Sequence, residues 1–386
     1  MTPPPQTLAT ADATAAPVDV SIIVPTINEA ENLPELLRRI AAALPATSYQ
    51  VLIVDDNSQD ATEAVCAELA KTYPLELIER RQPKNGLSGA VLQGMSLARG
   101  NFLCVMDADL QHPPEKLPEL LEPLRSGAAD FVMGSRYVPG GSTQSEWGFF
   151  RKINSRVATI LARPFAGRVS DPMAGFFALS RQTYANARQL TPLGYKIGLE
   201  LMCKCRAKTV REVPIHFAMR FKGQSKLTLQ QQFRFLEHLS RLYDFQYPRL
   251  SPVSKFLIAT AVSWLIGFAV FVLLGGATHP VRAPILAYPA AILATAIFHV
   301  RYVRTQREFI LRRRPWLDFA VISAAEWLVC AAAAWWTARR VSNPGTLEIF
   351  LICFGLATIA RYILRKEFLQ DIRGLRKTLP REIEAV

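Results

Sequence analysis

Two acidic residues, Asp107 and Asp109, stand one residue apart between an apolar run and the pair Pro113-Pro114. The apolar run, residues 102–105, predicts a strand, and the prolines stop the chain from continuing as one. A hard divalent cation such as Mg²⁺ or Mn²⁺ prefers oxygen ligands and keeps room for substrate phosphates. The pattern therefore indicates a metal and phosphate site at the end of a strand, with a simple polar turn as the alternative.

Alternating strands and helices are expected to position these acids. Residues 20–24 and 51–54 are short apolar runs, typical of strands buried on both faces of a parallel sheet. Asn32 is predicted to cap an amphipathic helix that follows the first run. Ligands of such doubly wound α/β sheets bind beyond the carboxyl ends of the strands. The polar residues after three strands, at 28–29, 55–56 and 107–109, should therefore face one crevice.

The crevice has the residue types that a nucleotide-sugar requires. The chain contains neither a Gly-rich dinucleotide motif nor a Lys-bearing phosphate loop, so a nucleotide must be held in another way. An acid after the second strand can accept hydrogen bonds from a base or a ribose, while a metal on Asp107 and Asp109 can neutralise a diphosphate. These roles predict a nucleotide-sugar as the ligand.

Charge and cysteine content narrow the class of protein. The formal net charge is +13, but many arginines stand between long apolar runs in the last third of the chain, which favours a membrane partner over nucleic acid. Six cysteines form no Cys-x-x-Cys pair, which predicts reduced thiols in a cytosolic compartment. Residues 1–18 are rich in Ala, Thr and Pro and are expected to form a flexible leader rather than a secretory signal.

The last third of the chain is predicted to be a membrane domain over residues 253–366. Four apolar runs, 256–274, 284–300, 317–337 and 346–364, are expected to span the bilayer. Residues 229–252 are predicted to form amphipathic helices at the membrane surface, or helices that pack on the core. The loop between the second and third runs contains many arginines at 301–314 and is therefore predicted to be cytosolic, together with the first part of the chain and the basic tail 367–386. Glu326, in the third run, should face the bundle interior or a partner.

Five motifs follow one another along the first part of the chain: Pro25-Thr26-Ile27-Asn28-Glu29, Val54-Asp55-Asp56-Asn57-Ser58, Gly86-Leu87-Ser88, Asp107 to Glu115, and Gly134-Ser135-Arg136-Tyr137. They resemble those of the polyprenyl-phosphate mannosyltransferases, the dolichyl-phosphate-mannose synthase group of inverting GT-A glycosyltransferases. The resemblance extends over residues 20–243, although Ile27 stands where the family commonly has Tyr and Ala61 where Gly is frequent. It implies an α/β GT-A domain with a mainly parallel sheet over residues 19–228, followed by an all-α transmembrane domain similar to GtrA-like domains.

The resemblance also implies which residues form the site. Arginine suits the acceptor side, because its planar fork binds phosphate oxygens through two parallel hydrogen bonds. Implied nucleotide-sugar-binding residues are Pro25, Ile27, Glu29, Val54, Asp56, Asp107, Arg220 and Lys222. Implied metal ligands are Asp107, Asp109 and Gln111, implied acceptor-phosphate ligands are Arg136, Arg151 and Ser155, and implied catalytic residues are Asp109, Arg136 and Arg151.

The implied activity is transfer of a sugar from a nucleotide-sugar to polyprenyl or dolichyl phosphate. GDP-mannose is the favoured donor, a divalent metal is the expected cofactor, and the enzyme is expected at the cytosolic face of a bacterial or archaeal-type plasma membrane. The acceptor phosphate is already anionic, so no protein base is required, and Glu200 is predicted to be an acid on a helix surface. A homo-oligomer formed through the membrane domain is left open.

Three alternative functions remain open at this stage. One is a glycosyltransferase that uses UDP-glucose as its donor. Another is a processive polysaccharide synthase, because residues 231–235, Gln-Gln-Phe-Arg-Phe, are similar to the Gln-x-x-Arg-Trp acceptor motif of those enzymes. The last is a transport or scaffold protein that binds a nucleotide-sugar without turnover, against which the intact Asp107, Asp109 and Gln111 argue.

Overall fold

The computed structural model describes residues 17–143, 149–191, 193–218, 229–275, 281–298, 315–340 and 345–375. The chain divides into two compact units, Met1–Gln246 and Tyr247–Val386. Each unit has its own hydrophobic core.

A mainly parallel sheet forms the centre of the first unit. The described strands are β1 Val20–Thr26, β2 Tyr49–Asp55, β3 Leu75–Glu79, β4 Phe102–Val105, β5 Phe131–Ser135, β6 Ser142–Thr143, β7 Phe177–Ser180, β8 Val210–Pro214 and β9 His216–Phe217. Seven of them form one sheet in the order β3-β2-β1-β4-β7-β5-β8, in which β7 is antiparallel to its two neighbours and the other pairs are parallel. The short strands β6 and β9 pair with each other. The expected α/β architecture is confirmed.

Helices cover both faces of this sheet. They are α1 Leu33–Ala43, α2 Thr62–Leu69, α3 Gly86–Leu97, α4 Leu117–Arg125, α5 Phe149–Ala166, α6 Arg181–Ala185, α7 Ile197–Lys204 and α8 Leu229–Gln246. Alternate strand residues face opposite sides of the sheet: Ile23 and Leu52 pack into one core layer, whereas Ile22 and Ile53 pack into the other. Burial on both faces explains why β1 and β2 are continuous apolar runs.

The prediction that Asn32 caps helix α1 is wrong. Asn32 occupies the N-cap position, but its side chain makes no capping hydrogen bond and donates instead to the carboxylate of Glu29. A side-chain cap normally accepts from one of the N–H groups of the second or third helical residue. The second helical residue here is Pro34, which has no N–H to offer.

The prediction that Glu200 lies on a helix surface is also wrong. Helix α7 is buried along its whole length, and Glu200 is fully buried. Its carboxylate lies 2.7 Å from Nζ of Lys204 and 3.3 Å from Nε2 of His238, which α8 contributes. Packing of α5 and α8 on α7 places this acid in an internal charge cluster.

Helix α8 was expected either to lie on the membrane surface or to pack on the core. The core-packing alternative is confirmed by Leu242, which is fully buried, and Leu239, which is 8% exposed. Phe233 and Leu236 remain exposed on the same helix. The helix therefore packs on the core of the first unit with one face and presents apolar side chains on another.

The second unit is helical: the described helices are α9 Ser251–Gly275, α10 Arg282–Phe298, α11 Pro315–Arg340 and α12 Thr346–Leu375. Three segments among the described residues are long and apolar enough to cross a membrane, Val253–Leu274, Phe319–Arg340 and Leu347–Leu364. They correspond to the first, third and fourth predicted spans. The second predicted span corresponds to α10, which has 17 described residues, so its crossing stays a prediction. The arginine-rich loop lies outside the described residues, as does the tail from residue 376.

The interior of the second unit contains an ion pair. Glu326 and Arg361 lie 2.8 Å apart, and each side chain is 2% exposed. The hydroxyl of Tyr288 lies within hydrogen-bonding distance of both. The prediction that Glu326 faces the bundle interior is confirmed, because an opposite charge from α12 meets it there.

Candidate active site

The sheet brings three polar strand ends to one edge. β1 pairs in parallel with β2 and β4, with Thr26 opposite Asp55 and Ile23 opposite Val105. The main chain continues this pairing past the strands, since Met106 N–H donates to the Ile23 carbonyl. Residues 27–29, 55–56 and 107–109 therefore leave the sheet at the same edge, as the sequence predicts.

Asp107 and Asp109 sit in a tight turn after β4. Leu110 adopts a left-handed conformation with φ of 62°, and Asp109 Oδ1 accepts a 3.2 Å hydrogen bond from the main-chain N–H of Gln111. Asp109 is almost fully buried, whereas the side chain of Asp107 is 36% exposed. The turn therefore presents one accessible carboxylate and holds the other firmly.

Two carboxylates are a partial ligand set for a divalent cation. Among the described residues, no group of three or more His, Cys, Asp or Glu side chains could hold a metal ion. Mg²⁺ is usually bound by one or two carboxylates together with waters and substrate phosphates. The donors at Asp107 and Asp109 fit a cation of this kind that binds together with a diphosphate.

Gln111, the third implied ligand, has an additional structural role. Its side-chain amide donates a 3.0 Å hydrogen bond to the carbonyl of Ala218, whose N–H donates in return to the Gln111 carbonyl. This pair of bonds joins the turn to the chain directly after β9. Metal ligation by Gln111 stays a prediction.

A charged pair anchors the acid after β2. Arg80 forms a salt bridge with Asp56 and also donates to the carbonyls of Lys84 and Gly86 and to the side chain of Gln93. Burial raises the pKa of Asp56, and the Arg80 charge opposes this rise without cancelling it. Sequence reasoning missed Arg80, although its position directly after β3 is equivalent to that of the acids after β2 and β4.

The residues implied for the nucleotide differ in how they could contact it. Pro25 and Val54 are neighbours across β1 and β2 and both are buried, so only their main-chain atoms are suited to line a ligand site. Ile27 is 49% exposed at the edge of the sheet. Glu29 and Asp60 line an open cavity of about 440 Å³ past the end of β1.

Arg136 is held by a buried carboxylate. Its Nε and Nη2 donate to the two oxygens of Asp171 at 2.7 and 2.8 Å, and its main-chain N–H donates to the same residue at 3.1 Å. The rings of Tyr137 and Phe217 each lie 5.3 Å from its guanidinium carbon. The sequence did not predict that two N–H donors of the Arg136 guanidinium would bind Asp171. Phosphate binding by Arg136 stays a prediction.

Sequence reasoning also missed Lys196. Its Nζ donates a 3.0 Å hydrogen bond to the carbonyl of Met173, in the loop that also carries Asp171. The loop before Lys196 is fastened by Ser88, whose hydroxyl donates to the Gly194 carbonyl. This contact gives the Gly86-Leu87-Ser88 motif a structural role.

His112, at the end of the turn after β4, is buried. Burial lowers its pKa to about 4, so the ring is neutral.

Four of the implied site residues are not described in side-chain detail. Arg151 and Ser155 lie on α5, but their side chains are outside the description, and Arg220 and Lys222 fall within the undescribed segment 219–228.

A mainly parallel sheet with two carboxylates in a turn at the carboxyl edge of its strands defines the class, a GT-A glycosyltransferase. The Glycosyl transferase family 2 model matches residues 21–187. The dolichol-phosphate mannosyltransferase of Saccharomyces cerevisiae is 38% identical over 60% of this chain and 89% of its own. That of Pyrococcus furiosus is 43% identical over 59% of this chain and 64% of its own. The chain belongs to the dolichol-phosphate mannosyltransferase family.

Among solved structures, the chain is similar to glucosyl-3-phosphoglycerate synthase from Mycobacterium tuberculosis, with 17% identity, 60% of this chain and 79% of that chain covered, and a TM-score of 0.45.

Proposed function

We propose that this enzyme transfers mannose from GDP-mannose to a polyprenyl or dolichyl phosphate at the cytosolic face of a membrane. The observation that carries the proposal is that the Asp107 and Asp109 turn after β4 and Asp56 after β2 leave the sheet at the same edge, on either side of β1. Family membership supports both substrates, since the relatives are named as dolichol-phosphate mannosyltransferases. Three helices suited to span a membrane support action on a lipid-linked acceptor.

The donor is held at both of its ends. Asp56, braced by Arg80, is suited to accept hydrogen bonds from the N–H groups of a guanine base. Asp107 and Asp109 would hold a Mg²⁺ or Mn²⁺ ion that neutralises charge on the departing diphosphate. Arg220 and Lys222, in the segment of sequence after Ala218, are proposed to contact the same diphosphate.

The reaction is a single displacement at the anomeric carbon. An oxygen of the lipid phosphate forms the new bond to this carbon while its bond to the GDP oxygen breaks, which inverts the configuration. The attacking oxygen is already anionic, so the step consumes no protein base, in keeping with a neutral His112 and a buried, paired Glu200. Arg136, Arg151 and Ser155 are proposed to orient the lipid phosphate.

The membrane arrangement rests on charge and exposed apolar surface. We assign the first unit, the arginine-rich segment 301–314 and the C-terminal tail to the cytosol, because positive residues are enriched on that side. Exposed apolar residues of α5 and α8, Ile160 and Phe233 among them, are suited to contact the bilayer surface where the lipid acceptor resides.

The test uses purified full-length protein in detergent with a short polyprenyl phosphate and radiolabelled nucleotide-sugars. Metal-dependent formation of a lipid-linked mannose from GDP-mannose is expected. Asp109→Asn should strongly reduce it, whereas Glu119→Gln, which alters an exposed surface carboxylate paired with Lys116, should not. Transfer from UDP-glucose alone, or formation of a long polysaccharide, would refute the proposed substrates.

Acceptor binding is tested separately. Arg136→Ala and Arg151→Ala are expected to raise the KM for the lipid phosphate while GDP affinity stays near the wild-type value. Equal losses in acceptor use and nucleotide binding would contradict the acceptor assignment. The comparison is informative because Asp56 and Arg80, which are proposed to serve the nucleotide, lie on other strand ends.

A further inference from the structure

His112 lies beside Asp107, one of the proposed metal ligands, and no step of the proposed reaction uses it. Its ring is 3% exposed and stacks on Phe176 at 5.3 Å between centroids, while Phe217 packs against it at 5.5 Å. These contacts hold the imidazole ring in place. A buried ring in a fixed position can act as a rigid support for the residues it touches.

The residue that His112 supports is Asp107. The main-chain N–H of Asp107 donates a 3.0 Å hydrogen bond to His112 Nδ1. Because Nδ1 accepts this bond, the proton of the ring is on Nε2. The bond closes the turn from Asp107 to His112 on itself and fixes the main chain from which the Asp107 carboxylate projects.

Gly175 restricts the same cluster from the other side. A Cβ atom at this position would lie 3.2 Å from His112 Cε1, and 3.5 and 3.8 Å from the two carboxylate oxygens of Asp107. The main chain at Gly175 therefore packs against both the ring and the carboxylate. This close packing gives the Asp171-Pro172-Met173-Ala174-Gly175 segment a role at the metal site in addition to the pairing of Asp171 with Arg136.

We propose that His112 is a positioning residue that holds the Asp107 carboxylate in the orientation required to bind the divalent cation, with Gly175 supplying the space for this arrangement. The inference rests on the proposed function, because it takes Asp107 to be a metal ligand. It assigns to His112 no proton transfer and no contact with substrate. Its physical requirement is an acceptor atom at the Nδ1 position, and in the wild-type protein the ring packed against Phe176 and Phe217 carries that atom.

The variants separate the effect of the acceptor atom from the effect of the ring. His112→Asn keeps an acceptor, since its side-chain oxygen can occupy the Nδ1 position, whereas His112→Phe keeps the ring and loses the acceptor. Gly175→Ala keeps both and adds the atom that would press on the ring. The matched control is His216→Phe, because His216 is an exposed histidine of the same unit whose ring contacts Ser142.

The readout is binding of Mn²⁺ to the full-length protein, measured by electron paramagnetic resonance with and without GDP. Removing a hydrogen bond that orients a metal ligand costs about 10- to 100-fold in affinity. His112→Phe is expected to show this loss, and Gly175→Ala a smaller one because it keeps the hydrogen bond and only presses on the ring. His112→Asn and His216→Phe are expected to bind Mn²⁺ nearly as wild type does. Thermal unfolding of each variant confirms that the fold is retained.

The outcomes separate the positioning role from the proposed function. Wild-type Mn²⁺ affinity in folded His112→Phe, or a loss in His112→Asn as large as that in His112→Phe, would refute the role of the Nδ1 acceptor. If the expected pattern is found but no mannose is transferred, the substrates are wrong and the positioning role stands. If the wild-type protein transfers mannose without binding Mn²⁺ or Mg²⁺, the positioning role is refuted and the substrates stand.

Discussion

Substitution of Asp171 by Asn tests the buried pair that holds Arg136. Asp171 is fully buried and the side chain of Arg136 is 11% exposed, so water screens neither charge effectively. Asn has nearly the same shape as Asp and can still accept one hydrogen bond, so the variant removes mainly the negative charge. Arg136 then remains in the interior as a cation that no longer has its carboxylate.

The expected effect on stability follows from this geometry. Removing one partner of a buried ion pair costs about 3–5 kcal/mol, because the remaining charge is left uncompensated. One kcal/mol shifts the melting temperature of a domain this large by about 2–4 °C, so the melting temperature of the first unit should fall by about 6–20 °C. The double variant Asp171→Asn/Arg136→Met should regain most of this loss, since it removes both charges.

The assay is thermal unfolding of the full-length protein in detergent, followed by circular dichroism. The matched control is Glu35→Gln, which disrupts an exposed ion pair with Arg38 and should leave the melting temperature unchanged. Asp171→Asn with a wild-type melting temperature would refute the view that the pair is buried and closely coupled. A double variant as unstable as Asp171→Asn would show that the loss does not come from separating the Arg136 charge from its carboxylate at Asp171.

Three further predictions concern other charged groups. Asp109→Asn should reduce mannose transfer by about 100-fold or more, measured with saturating GDP-mannose and Mn²⁺, because several kcal/mol of charge stabilisation depend on the metal. Burial would raise the pKa of Glu200, but contacts with His238 and Lys204 outweigh it and hold the value at about 2, against an ordinary 4.5. The stability from this lowered pKa is present above pH 4.5 and is lost as the pH falls toward 2, so the acid unfolding curve of Glu200→Gln should be flatter in that range. Glu326→Gln should destabilise the second unit in detergent, and Glu326→Gln combined with Arg361→Met should restore much of the stability, as followed by thermal unfolding.

Much of the fold could be predicted because burial leaves a periodic pattern in the sequence. β1 and β2 are recognisable as continuous apolar runs, since both faces of the sheet are covered. The acids of the site were recognisable because each directly follows such a run. The burial of Glu200 was not predicted, because the sequence of helix α7 does not show that α5 and α8 cover it.

The partners of the site residues could not be predicted, because they lie far away in the chain. Asp171 is 35 residues from Arg136, and Arg80 is 24 residues from Asp56. The sequence alone does not distinguish a buried arginine from a surface arginine. Only burial and a facing carboxylate distinguish them, and both depend on tertiary packing.

The sequence by itself determined the alternation of strands and helices, the two acids of the turn after β4, the apolar helices of the second unit and the inward orientation of Glu326. All of these follow from local spacing or from the high cost of exposing a polar group to lipid or an apolar one to water. Tertiary structure alone decided that Asp171 holds Arg136, that Arg80 braces Asp56 and that His112 supports Asp107. These contacts join different strand ends and loops, so they exist only once the sheet has brought its carboxyl edge together.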